Sequence, residues 1–293
     1  MKWLIKSTSV MFSLFVVILL MTGCAKDENV LPQNQSIDER GGGTIGGGTS
    51  TLMYGLSDDN VIVKLMSGPP VTEVSSVPLK GIGTGELMLA IDYRPADRKI
   101  YGVSDANLIY RIDPVTGVTT AVTGWPFTPA IDGGVVGFDI NPTDDRIRLV
   151  TDNDQNLRIH PLSGQVVAID KNLTPSQVSI NSIAYAAVVT GGLSTTFNLF
   201  DLDMATGNLF RQAGNTGALQ LVGSTGLNIL SEGGFDSSKG QGWAVFLGGA
   251  RIGSPGATGD NTSTAYRLWN VNVKTAAVRS MGTTRPLIGL AVP

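Results

Sequence analysis

The chain has 293 residues, of which 42% are hydrophobic, so a sizeable core can form and wholesale disorder is excluded. Its 21 basic and 24 acidic residues leave no surplus of positive charge for phosphates, so nucleic acid is not an expected partner. One cysteine and one histidine exclude a disulfide framework and Cys/His metal centres, and 37 glycines point to many tight turns.

At the N-terminus, Lys2 and Lys6 precede an apolar stretch from Val10 to Met21 broken only by Ser13. It is short for a bilayer span and reads as a cleaved export signal over residues 1–23. Met21-Thr22-Gly23-Cys24 resembles a bacterial lipobox, with Met21 in place of the usual leucine, which implies that Cys24 is lipidated and becomes the mature first residue. The following Ala25-Lys26-Asp27-Glu28 is similar to the signal that sends lipoproteins of Bacteroidetes-like bacteria to the outer face of the outer membrane. Residues 24–50 then hold two glycine triplets and scattered polar residues, a flexible tether that gains nothing by ordering. Loss of residues 1–23 removes two lysines and takes the formal charge from −3 to about −5. The expected membrane partner is therefore reached through the lipid, not through a basic patch.

From Thr51 onward the sequence repeats. Met53-Tyr54-Gly55-Leu56-Ser57-Asp58 is echoed 47 residues later by Ile100-Tyr101-Gly102-Val103-Ser104-Asp105, and again by Ile147-Arg148-Leu149-Val150-Thr151-Asp152. Ile91-Asp92-Tyr93-Arg94-Pro95 and Phe138-Asp139-Ile140-Asn141-Pro142 keep the same interval. Within the second unit the pattern predicts strands at Leu87–Tyr93, Lys99–Val103, Leu108–Ile112 and Val118–Val122, the last two joined by Asp113-Pro114-Val115-Thr116-Gly117. That turn returns at His160–Gly164, at Asp203–Gly207 and, in degenerate form, at Asn272–Ala276. The fourth unit reads as compressed around Val188–Thr196, and the fifth carries an insertion near Gly248–Ser263.

Four-stranded units of this length suit an all-β propeller spanning residues 51–293. The first unit lacks its innermost strand, and Ile288–Pro293 matches Val136–Pro142, so the C-terminal strand is expected to complete the first blade. Five blades follow, with six short blades or a β-sandwich as the alternatives.

The run Asp139–Val150, with Ile91–Pro95 and Leu157–Gly164, resembles the bacterial domain-of-unknown-function family 4394. The resemblance covers roughly Leu52 to Pro293. It implies a propeller-like domain in secreted or surface proteins and brings with it no activity and no site residues.

Candidate chemistry is sparse. Asp92, Asp139 and Asp236 fall near the ends of first strands, which line a propeller's channel, and paired carboxylates are what glycoside hydrolysis needs. Residues repeated with the repeat are better explained by bonds to their own turn backbone than by catalysis, which needs carboxylates in unlike surroundings. Asp152, Asp154 and Asn156 begin like a calcium loop, but Leu157 stands where glycine belongs and Ser163 where glutamate does. His160 replaces Asp113 and Asp203 at one turn position and reads as a turn residue. Arg94, Arg146 and Arg148 could form an anion-binding patch, or be packed and paired. Trp125 could stack on a sugar or wedge between blades. The expectation is a surface-anchored binding module for a glycan, peptide or envelope protein, without a cofactor. The alternative is a glycosidase-like hydrolase using the channel acids.

Overall fold

The computed structural model describes residues 50–176, 178–191, 194–250 and 265–293. The signal stretch, Cys24, the tether and most of the Gly248–Ser263 insertion lie outside the described residues.

Short alternating strands punctuated by glycine and Asx turns fold into five four-stranded antiparallel sheets, a five-bladed propeller. Blade 1 holds β1 (Leu52–Leu56), β2 (Val61–Met66) and β3 (Thr72–Pro78); blade 2 holds β4 (Met88–Arg94), β5 (Lys99–Ser104), β6 (Ile109–Ile112) and β7 (Thr119–Ala121). Blade 3 contains β8 (Val136–Asn141), β9 (Arg146–Thr151), β10 (Asn156–Ile159) and β11 (Val166–Ile169). In blade 4, β12 (Ile180–Thr190) and β13 (Ser194–Asp203) are long, followed by β14 (Asn208–Ala213) and β15 (Ala218–Ser224). Blade 5 comprises β16 (Leu227–Ser238), β17 (Gln241–Ala250), β18 (Tyr266–Val271) and β19 (Val278–Thr284).

The last strand, β20 (Gly289–Ala291), pairs with β1 and supplies blade 1 with its inner strand, with Tyr54 opposite Ala291 and Leu56 opposite Gly289. This is the closure expected from the repeat. Leu287, Leu290 and Val292 bury their side chains there, and full burial of such a side chain stabilises by about 1.5–3 kcal/mol. Each inner strand packs on the next, so β4, β8, β12, β16 and β20 form a ring.

One expectation needs correction. Val188–Thr196 is not compressed but forms the end of a long hairpin, with Val188 opposite Thr196 and Val189 opposite Thr195. The Asp203–Gly207 turn joins β13 to β14, one connection earlier in its blade than Asp113–Gly117 and His160–Gly164 in theirs, so equating the three turns makes a long blade read as a short one.

The core is divided among the five blade interfaces, one apolar cluster in each. They are unequal. Among the described residues, the cluster between blades 4 and 5 has 14 buried members and that between blades 2 and 3 has 12, whereas that between blades 3 and 4 has five. Polar groups take up the remainder of that last interface.

Candidate functional site

Two polar constellations emerge, one in the ring of inner strands and one between blades 3 and 4. The ring brings together Asp92, Asp139 and Asp236, whose carboxylate oxygens lie within 4.8 Å of one another, all buried. Each joins its own strand to the next blade. Asp92 accepts from the Tyr93 N–H at 2.6 Å and from the Ile140 N–H of blade 3 at 2.7 Å. Asp139 accepts from the Ile140 and Tyr185 N–H groups, and Asp236 from those of Ser237 and Val292. The bonding therefore runs between blades as well as locally, not into the turns the sequence suggested. The same register places Ala184 and Ala291 at the corresponding positions of β12 and β20.

Three carboxylates this close and dry cannot all ionise cheaply. Burial, then the Asp236 charge, pushes the Asp92 carboxyl well above the usual carboxylate range, and burial and both neighbours do the same to Asp139. Burial outweighs the two N–H bonds at Asp236 and lifts it to about 7. Asp92 and Asp236 share a hydrogen bond, which needs a proton on one of them.

A hard cation is the other conceivable partner. Calcium takes six to eight oxygens, whereas the ring offers three acids, with alanine at the two remaining positions. The cavity bounded by the preceding residues, among them Ile91, Phe138 and Leu290, has a volume of 10 Å³, room for about one water. A sugar ring cannot reach these acids without parting the blades. The donor set fits a shared-proton cluster better than a metal centre or a glycosidase pair.

The second constellation is open. A groove of 470 Å³ lies between blades 3 and 4, within the ~300–1,000 Å³ of small-ligand sites. Arg148 and Arg158 form one wall and are directly opposite one another on β9 and β10. Both bind Asp170: Arg148 Nη1 donates at 2.7 Å, and Arg158 donates through Nε at 2.8 Å and Nη2 at 3.0 Å. Arg148 Nη1 also donates to Asn156 Oδ1 at 2.7 Å and, across the interface, to the Gly214 carbonyl at 3.1 Å. A side chain at position 214 would put its Cβ 2.8 Å from Arg148 Nη2, so glycine is what lets the β14–β15 turn approach.

Arg148 is 3% exposed, yet its Nε has no hydrogen-bond partner. The other wall comes from blade 4, where Tyr185, Leu199 and Gln212 stand side by side on adjacent strands. Burial raises the Tyr185 hydroxyl, while the Arg148 guanidinium beside it works in the opposite direction. Gln212, with its amide oriented to donate, lies 3.2 and 2.7 Å from the two oxygens of Asp201. Asp201 is fully buried, and loss of water pushes its carboxyl well above the ordinary range. Phe197, 42% exposed, completes the rim, while the next residue, Asn198, pairs with Ala186 and turns its side chain toward blade 5.

The remaining sequence candidates do not converge. Arg94 is committed to Asp145 through Nε at 2.8 Å and Nη2 at 2.5 Å and to Asp97 at 2.7 Å, which ties blade 2 to blade 3. Arg146 donates to the carbonyls of Asp144 and Asp145 in its own turn. Trp125 is 82% exposed; Phe127, not Trp125, wedges into the cluster between blades 2 and 3. Asp152 caps the N–H groups of Gly134 and Val135, whereas the Asn156 amide is taken up by Arg148, Lys171 and Gly214. Asp154 sits at positive φ in the intervening turn. His160 Nδ1 accepts from the Leu162 N–H, a turn contact.

Of the groove, only Arg148 was a sequence candidate. Tyr185, Gln212 and Asn215 were missed because they lie in the unit whose repeat is weakest. The signal available was that weakness itself: Ala184 breaks the Asp series and carboxamides gather over 198–215.

In solved structures the chain is similar to a protein in a nidogen/laminin complex, at 15% identity and TM-score 0.47 over 83% of this chain and 98% of that one. It is also similar to a structural-genomics protein of unknown function from Bacteroides thetaiotaomicron, at 13% identity and TM-score 0.44 over 80% of this chain and 58% of that one. No curated protein matches the sequence. The family model for DUF4394, a domain of unknown function, matches residues 61–291, and the chain belongs to that family.

Proposed function

We propose that the protein is a lipid-anchored binding module of the bacterial outer membrane, displayed at the cell surface, that holds its ligand in the groove between blades 3 and 4. The observation that carries this is the groove itself. It is the described interface with the fewest buried apolar residues, and a buried arginine with an unpartnered Nε forms part of its wall. Buried donors without partners are costly, and a ligand acceptor or a trapped water would relieve the cost. Anchoring rests on the lipobox-like Met21–Cys24 and the glycine-rich tether, which would hold the propeller away from the membrane.

The hydrolase reading is weaker on geometry. Its acids are crowded within 4.8 Å, with Asp92 hydrogen-bonded to Asp236, and are walled in, whereas glycosidases hold two carboxylates in unlike surroundings with a sugar between them.

Two measurements test the proposal. Acyl labelling in the producing bacterium should mark the parent and be lost in Cys24→Ser; label retained by Cys24→Ser refutes the anchor. The chain lacking residues 1–23 and carrying Cys24→Ser should be retained on immobilised polysaccharide or protein fractions of the cell envelope. Thr216→Trp, at the exposed groove rim, should lose that retention while melting like the parent. Equal retention of the two proteins would remove the groove from the function.

A further inference from the structure

We propose that the groove takes a neutral saccharide, contacting its hydroxyls through a set of carboxamides and its ring face through Phe197. This rests on the groove being the ligand site and names the chemical class that fits it.

Three observations point the same way. The first is charge: Arg148 and Arg158 converge on Asp170, and Asp144 lines the groove, so two cations face two carboxylates. An anion would find no net attraction there. The second is the hydrogen-bonding inventory. Among the described residues, Asn141 Oδ1 accepts from the Thr143 N–H while its amide nitrogen has no partner, and Asn215 Oδ1 faces Arg148 Nη2 at 3.4 Å with its own amide nitrogen likewise unpartnered. Gln212 donates to Asp201 and keeps its oxygen. Free donors and a free acceptor thus line one groove. A sugar hydroxyl, which both donates and accepts, can pair with either, whereas an apolar or purely anionic ligand cannot.

The third is shape. Phe197 leaves a ring exposed at the rim, available to the C–H face of a pyranose. A peptide usually docks by adding a strand to an open sheet edge or by seating apolar anchors in pockets. The groove walls are blade faces built from paired strands, and Leu199, its most apolar wall residue, is already 97% covered.

The test is calorimetric titration of the unlipidated chain with maltotriose, cellotriose, mannotriose and chitotriose. Trigalacturonic acid and an unstructured decapeptide are run in parallel. At least one neutral trisaccharide should bind, and its affinity should change less than about twofold between 0.05 and 0.5 M NaCl, since no ion pair forms. Asn215→Ala and Phe197→Ala, both at the rim, should weaken it about tenfold, and Thr216→Trp should abolish it. Failure of all four neutral sugars overturns the inference. Salt-sensitive binding of trigalacturonic acid alone, or binding of the peptide alone, also overturns it but leaves the groove as the ligand site if Thr216→Trp blocks that binding. Neutral-sugar binding that survives all three variants puts the ligand elsewhere and overturns both readings.

Discussion

Replacing Asp236 with asparagine should reverse its effect on stability as the pH rises. In the parent, Asp236 sits at about 7 against an ordinary value near 3.8, because the fold buries it and burial outweighs its hydrogen bonds. A carboxyl raised in this way keeps its proton in the folded state and loses it when unfolded. The stability it contributes is therefore fully present below about pH 4 and is lost as the pH climbs through about 7. A displacement of roughly three units corresponds to about 4 kcal/mol. Asparagine does not titrate, but its amide nitrogen must face one of the two N–H groups, of Ser237 or Val292, that the carboxyl accepted from. Stranding that donor costs about 1–3 kcal/mol at every pH.

The parent should thus be the more stable protein at pH 4 and the less stable at pH 8. The melting curves should cross between, over a total swing on the order of 10 °C for a domain of this size. Differences between the two proteins are needed, because groups such as Asp113, lowered by the Val115 and Thr116 N–H groups, push the absolute profile the other way. Thermal melts of both proteins at half-unit intervals from pH 4 to 8.5 provide the comparison. A constant offset across that range would refute the shared-proton ring.

Other expectations follow from the same geometry. Gly117→Ala should destabilise by more than about 1 kcal/mol in urea titrations, because the residue holds φ at 73° and a Cβ would stand 2.1 Å from the Pro78 carbonyl oxygen. Deleting residues 287–293 should abolish cooperative unfolding, since it removes β20 and opens the ring at blade 1; a truncated chain that melts at the parent temperature contradicts the closure. Arg94→Leu should cost roughly 1–3 kcal/mol by chemical denaturation, the loss being of a buried bidentate tie to the partly exposed Asp145, and should leave ligand retention unchanged.

The architecture was readable because the repeat carries it. The 47-residue interval, the Asx-to-glycine turns and the match between Ile288–Pro293 and Val136–Pro142 together gave blade number and closure. Pairing of Asp92, Asp139 and Asp236 in space was readable for the same reason, since equivalent positions on inner strands must meet at the axis. Their bonding was not: an N–H one blade away, such as Ile140 for Asp92, is 48 residues distant and becomes a neighbour only when the ring closes. The groove was nearly silent. It depends on the departure of blade 4 from the repeat, on Gly214 yielding space to Arg148, and on amides from separate turns arriving at one place. Ala276 shows the same limit on a smaller scale, adopting φ of 60° where Gly117, Gly164 and Gly217 stand in the other blades.

Where a ligand acts on the molecule can be read in one experiment. Amide chemical-shift mapping of the isotope-labelled, unlipidated chain, titrated with the envelope fraction that retains it, reports on both constellations at once. Ligation in the groove predicts shifts concentrated at Asn198, Gly214, Asn215 and Thr216, with the ring amides of Tyr93, Ile140 and Val292 unmoved. Shifts confined to those three ring amides would place the ligand at the channel acids and contradict the account.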